Sequence, residues 1–312
     1  MKLYRPLRKS FKAQAMVEFL IVLPVMLLLV MGILQFSFIY QAKISLNYAT
    51  FQTVRTGTLN NASVEAMQSA FASNMAPLYT TSYLEMDSSG DCSSSFVNTD
   101  AGRQARVGTT QIVDSNTRAV LDANINNFDS DSVLCARRIV EQQIEDGYVN
   151  IAIVNPHSGS FDDYGVEVDV DGSTETQIPN DNLMYRDASV AGGGGSSQSI
   201  QDANLLKIHV GYCYELIVPF VDRIIWAMQR YGPGSAPDSE VAYGRYWADP
   251  DAPPPGFFGP PASGSFAESC ITNPTDSDRY SIVLYSQGIM RMQSAATQCK
   301  MLDPSDPLGC FD

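Results

Sequence analysis

Apolar and polar positions divide this chain sharply. From Phe19 to Tyr40, 22 residues run without a formal charge, enough as a helix to cross a hydrocarbon core of about 30 Å at about 1.5 Å per residue. Past that run, Ile39, Ala42, Leu46, Ala49 and Thr53 recur every three or four positions up to Gly57, which predicts one long helix ending at that glycine. Pro24 lies inside the run. It removes a backbone hydrogen bond and is expected to kink or locally loosen the helix, as neighbouring membrane helices tolerate. A second helix is expected from Ser63, an N-cap residue with Glu65 nearby, to Pro77.

The polar stretch "MDSSGDCSSSFVNTDAGRQ" then predicts a loop, followed by helices over about 102–124 and 133–147. "YVNIAIVNP" alternates and is β-branched, a strand ending at Pro156. "VEVDVDGSTETQI" predicts a hairpin around the two-residue turn Asp171-Gly172. Leu205 to Val218, "LLKIHVGYCYELIV", is a strand, and Pro219 opens a helix with Phe220, Val221, Ile224, Ile225 and Met228 on one face and Asp222, Arg223 and Gln229 elsewhere. At about 12 residues that helix is too short to span a membrane. It is expected to cover the sheet, with a membrane or partner surface as the alternative. Gly192 to Ser197 and the Pro/Gly-rich Ala248 to Ser265 read as loops, and "RYSIVLYSQGIMRM" as the last long strand. Helices first, strands later and no βαβ alternation predict an α+β fold with a largely antiparallel sheet.

Charge sets the orientation. Lys2, Arg5, Arg8, Lys9 and Lys12 precede the run with no acidic residue before Glu18, so the positive-inside rule keeps the N-terminus cytoplasmic and exports the rest. A secretory signal peptide would have a shorter apolar core and a small-residue cleavage site, and "QAKISLNYATFQTVRTG" after Tyr40 offers no clear one. Five of the 20 basic residues sit in this leader, leaving 15 against 34 acidic ones beyond it. That balance argues against a nucleic-acid partner, which needs clustered Lys and Arg.

Six cysteines, Cys92, Cys135, Cys213, Cys270, Cys299 and Cys310, all follow the span. Their even number and the expected export suggest disulfides. Six cysteines allow about 15 pairings, and proximity favours Cys299 with Cys310. There is no C-x-x-C spacing, and the only histidines are His157 and His209, which makes a zinc site improbable. "DVDGSTE", Asp169 to Glu175, is rich in oxygen ligands but lacks a complete calcium loop, and Asp129 and Asp131 are discounted in the same way. No hydrolase, metalloprotease or dinucleotide motif is present. The expectation is a non-enzyme without metal or cofactor, and a membrane-anchored hydrolase built on carboxylates is the rival from the enzyme class.

Glu18 is the one charge at the mouth of the apolar run. The segment "AQAMVEFLIVLPVMLLLVMGILQF" resembles the N-terminus of TadE-like proteins, pseudopilins of the Tad (Flp) pilus system. These carry a basic leader, a small residue and then Gln-Ala-x-Val-Glu-Phe opening an apolar span with a Pro. Gln14, Ala15, Val17, Glu18, Phe19 and Pro24 occupy those places, and Ala13 stands where the family usually has Gly. The resemblance implies cleavage by a type IV prepilin peptidase between Ala13 and Gln14, with Glu18, five residues past Ala13, and Phe19 part of the processed motif. It also implies that Glu18 pairs with an N-terminal amine during assembly, Gly32 permitting close helix approach. "SLNYATFQTVRTG", "IPNDNL", "IQDANLLKIHVGYCYELIVPFVDRI" and "GIMRMQS" are similar to later segments of longer TadE-like proteins.

The implied organisation is a basic cytoplasmic leader (1–13), an N-terminal helix (14–57) with its span at about 19–40, and a disulfide-containing periplasmic head (58–312). The implied function is that of a minor pilin or pseudopilin in the bacterial inner membrane, priming, capping or decorating a pilus. Its partners would be other pilins, pilus assembly platform proteins and the prepilin peptidase. The alternative is a membrane-anchored periplasmic adhesin or scaffold that never enters a fibre.

Overall fold

The computed structural model describes residues 11–79, 84–86, 92–94, 131–170, 173–189, 196, 198–231, 266–272 and 280–302. The helix expected over 102–124, the loop over 248–265, most of the Gly192–Ser197 loop, the Asp171-Gly172 turn, Asp129 and Cys310 lie outside these residues.

The first helix, α1, runs from Phe11 to Leu59, 49 residues that continue through Pro24. It passes Gly57, the expected stop, and ends where Asn61 and Ala62 take left-handed φ angles of 57° and 60°. Gly57 has a different job. A Cβ there would stand 2.7 Å from both Leu206 Cδ2 and Met67 Sδ, so the missing side chain lets α1 approach its neighbours. Helix α2 (Val64–Met75) follows, its first turn capped by the Ser63 side chain, which accepts from the Ala66 amide; it packs back along α1 and buries Met67, Phe71 and Met75. Helix α3 (Asp131–Glu145) lies on α2.

Two short strands, β1 (Leu84–Met86) and β2 (Cys92–Ser94), pair antiparallel, so the polar stretch expected to be all loop contributes one strand of a ribbon. The chain then forms β3 (Val149–Asn155), the short helix α4 (Ser158–Tyr164), and β4 (Val166–Val170) with β5 (Ser173–Ile178). Val170 pairs with Ser173, the register of the expected two-residue hairpin. After α5 (Ile200–Ala203) come β6 (Leu205–Glu215), α6 (Val221–Tyr231), α7 (Phe266–Thr272), β7 (Ser281–Arg291) and β8 (Ala296–Thr297). The central sheet has the order β3-β6-β7 and is antiparallel throughout; β4, β5 and β8 form a second antiparallel sheet. The fold is α+β, a long apolar helix followed by a head of antiparallel sheets.

The core lies between the C-terminal half of α1 and the central sheet. Ala42, Leu46, Ala49 and Val54 from the helix meet Leu206, Ile208, Val210, Ile282 and Leu284 from β6 and β7. β6 reads as a continuous buried run because it is paired on both edges and covered. The helix packs tightly because its inner residues are small and because β7 carries Gly288, where a Cβ would sit 2.6 Å from Val54 Cγ2.

Helix α6 departs from expectation. Val221, Ile225 and Gln229 are its buried residues, while Phe220, Ile224, Met228 and Tyr231 are exposed. The buried stripe is thus rotated away from most of the apolar face, and Gln229, expected outside, is inside. Phe220, just before the helix, takes a left-handed φ of 70°, an uncommon conformation for a bulky residue.

Cys213 on β6 bonds Cys270 on α7, fastening that helix to the sheet beside Ile271 and Val283. Cys135 and Cys299 are also disulfide-bonded. The Cys299–Cys310 pairing favoured by proximity involves a residue outside those described, and Cys92 lies on β2.

Candidate functional site: a helix shared by the head and an apolar span

From Glu18 onward α1 contains a stretch long and apolar enough to cross a membrane, and little of it is covered by the rest of the chain. Ala13 and Gln14 lie in its first turns. Glu18, Phe19 and Pro24 are exposed on the helix, so the head covers none of the three. A Cβ at Gly32 would meet nothing within 4 Å in this chain; the fold itself does not require a glycine there.

Burial begins at Gln35, which is fully enclosed. Its Oε1 accepts from the backbone amides of Ile217 (3.2 Å) and Val218 (2.8 Å), just past the end of β6. This ties the sheet to the helix at a level still inside the uncharged run. Further contacts follow at intervals of about one to three turns. Lys43 Nζ donates to the Tyr285 carbonyl, Ser286 Oγ donates to Asn47 Oδ1 at 2.9 Å, and the Thr58 carbonyl accepts from the amides of Gln293 and Ser294, each at 3.0 Å. Backbone and side-chain bonds alternate with apolar packing along nearly 25 residues, so helix and head form one rigid unit.

Lys43 and Arg55 are the only charged residues between Phe19 and Val64. Burial lowers the Lys43 pKa. Near it, buried His209 on β6 stacks on Tyr285, ring centroids 5.2 Å apart. Burial first, then the positive charges of Lys43 and Lys207, push the His209 pKa down to about 4, so this imidazole stays neutral around neutral pH and serves as packing, not as a proton carrier.

Among the described residues, the opposite face of α1 is left exposed. Phe36, Tyr40, Ile44, Tyr48 and Phe51 are each more than half exposed. They follow a spacing of three or four and lie on the side of the helix away from Ala42, Leu46 and Ala49. The apolar surface of the span therefore continues about three turns beyond Tyr40 instead of ending there.

Sequence reasoning singled out Glu18, Pro24 and the processing residues but missed Gln35, Lys43 and this outer stripe. A signal for Gln35 existed, since it is one of few polar residues in an otherwise apolar run, and a lone amide in such a place needs a partner. The stripe was hidden because Tyr40, Ile44, Tyr48 and Phe51 sit among the inward-facing positions that defined the helix.

A family model described as TadE-like protein matches residues 13–55. No curated protein and no solved structure matches the chain. The matched segment contains the acidic position at Glu18 and, with Gln35, Lys43 and Asn47, most of the contacts by which the head grips α1; the likeness to the TadE-like model is to this segment of the chain.

Proposed function

We propose that the chain is a minor pilin or pseudopilin of a Tad-type pilus and not an enzyme. Its N-terminus lies in the cytoplasm, α1 crosses the inner membrane, and the disulfide-bonded head is periplasmic. The family match supports a Tad pilus-related protein. The observation that carries the finer reading is the outer stripe of α1: an apolar face that leaves the membrane still uncovered suits a helix packing against other helices of an assembly, where a simple anchor would have a polar face above the bilayer. Glu18 sits at the opposite end of the same helix, where its carboxylate pairs with the amine released by leader removal, on its own or a neighbouring subunit. Gly32, where an added Cβ would meet nothing within 4 Å in its own chain, allows a neighbouring helix to come close. A head this large, 299 residues with the span after loss of 13, suits a priming, capping or decorating subunit better than a shaft subunit.

The competing reading is an anchored adhesin or scaffold that stays in the membrane. Shearing surface fibres from cells that make the protein separates the two. A fibre component is expected in the sheared fraction at substoichiometric levels relative to the shaft pilin, whereas confinement to the inner-membrane fraction in piliated cells overturns the fibre role.

A further inference from the structure

We propose that α6 is a second membrane contact: an interfacial helix that lays Phe220, Ile224, Met228 and Tyr231 into the outer leaflet of the same bilayer that α1 crosses. The inference rests on the reading of Phe19–Tyr40 as a membrane span and adds to it a site in the head.

Depth is the first argument. Counting about 20 residues of hydrocarbon from Phe19 puts the outer boundary near Phe38. The Gln35 side chain is bonded to the amides of Ile217 and Val218, and Met31 packs against the same core that holds Val218, Val221 and Ile225. Gln35 and Met31 lie three and seven residues inside that boundary, about 5 and 10 Å along the helix axis. The start of α6 is therefore fixed at or below the outer boundary, in the zone of the lipid headgroups and upper acyl chains.

The exposed surface at that level has the matching chemistry. Ile217 is 52% exposed, Phe220 70% and Tyr231 70%, with Ile224 and Met228 between them also exposed. From Phe220 the spacing is four, four and three, one face along the whole helix. Arg223, Ile224, Ala227, Met228 and Tyr231 bound a shallow groove of about 450 Å³. A water-facing helix at this point would leave a contiguous apolar patch in solvent, which soluble surfaces avoid. Phe220 is held outward despite its left-handed backbone.

Charge favours a lipid surface over other occupants. Beyond the leader the chain has 15 basic and 34 acidic residues, whereas α6 reverses the balance with Arg223 and Arg230 against Asp222. The Arg230 guanidinium lies over the Trp226 and Tyr231 rings, at 5.1 and 5.5 Å, and Arg223 lies over Tyr280 at 5.6 Å. Trp226 and Tyr280 are half-buried against the head, the Trp226 indole donating to the Ile271 carbonyl, so they hold the two arginines from behind; the arginines with exposed Tyr231 at the edge of the apolar face resemble an interfacial belt, the cations reaching phosphates while the tyrosine sits at headgroup level.

Depth-dependent fluorescence quenching tests this on the full chain in vesicles of phosphatidylethanolamine and phosphatidylglycerol. Single cysteines carrying a polarity-sensitive dye are placed at Ile224, at Val25 in mid-span and at Asp181 on the exposed head, all surface positions. The Ile224 dye is expected to be blue-shifted relative to Asp181, quenched by brominated acyl chains and protected from iodide, at a shallower depth than Val25. A deep Val25 dye with an Ile224 dye as open to iodide as Asp181 overturns the α6 proposal and leaves the span intact. Protection from iodide without quenching by brominated lipid means a protein occupant, a second copy or another partner, and overturns it too. An aqueous Val25 dye removes the span itself, and the proposal with it.

Discussion

Glu18→Ala is expected to leave a folded, disulfide-bonded protein in the membrane that no longer supports pili. A carboxylate at the edge of a hydrocarbon core is unfavourable by itself, so for a simple anchor its removal leaves insertion unchanged or slightly easier. In an assembly of side-by-side helices the same carboxylate compensates an N-terminal amine in a low-dielectric environment. Removing one partner of such a pair leaves an uncompensated charge at a cost on the order of a few kcal/mol. With about 1.4 kcal/mol per tenfold in an equilibrium, incorporation should fall by well over tenfold. Glu18 is exposed on α1, well before the stretch of the helix buried by the head, so the head's stability should change little. The measurement is the ratio of the protein in sheared fibres to that in membranes, with piliation scored alongside. Normal piliation at wild-type abundance would show that Glu18 is not an assembly residue.

The second large effect is on stability and comes from His209. In the unfolded chain its pKa is near 6.5; in the fold, burial and the nearby Lys43 and Lys207 hold it at about 4. Between those values the unfolded chain carries a proton that the folded one does not. The stabilisation is thus complete above about pH 6.5 and is lost as pH falls through the window toward 4. By pH 4.5 the loss is about 2.5 kcal/mol. Carboxylates titrate in the same range, so the contribution is isolated by comparison with His209→Phe, which keeps a ring against Tyr285. Urea unfolding of the full chain in detergent at pH 7.5 and 4.5 should show the wild type losing about 2.5 kcal/mol more than the variant. Equal losses would mean that His209 is protonated in the fold or not buried as described.

Periodicity made α1 and its inner face legible. Ala42, Leu46 and Ala49 face inward because small residues every three or four positions suit a helix lying flat on a sheet, and those same positions are buried. The end of that helix was misread because glycine has two uses. A glycine after an apolar helical pattern predicts a stop, but the value of Gly57 here is the close approach of Leu206 and Met67, a tertiary fact with no local signature. Val170 pairs with Ser173, the register that an Asp-Gly dipeptide between two alternating runs predicts. The orientation of α6 could not be read, since tertiary packing decides that Val221, Ile225 and Gln229 face inward and the helix's own apolar pattern points elsewhere. Cys213 and Cys270 are 57 residues apart, and only the packing of α7 on the sheet brings them together. Of the candidate site, Glu18 stood out as a lone charge, whereas the grip on Gln35 and the outer stripe emerged once it was known which side of α1 the head occupies.

The pilin reading requires that the leader be removed so that Gln14 begins the mature chain and its amine faces Glu18. Mass spectrometry of the intact N-terminus, on protein taken from native membranes of a peptidase-positive strain and a peptidase-null sibling, tests that requirement most directly. The account predicts a chain starting at Gln14 in the first strain and at Met1 or Lys2 in the second. A Met1 or Lys2 terminus in both, from cells that process their other prepilins, would contradict the account and leave a signal-anchored protein.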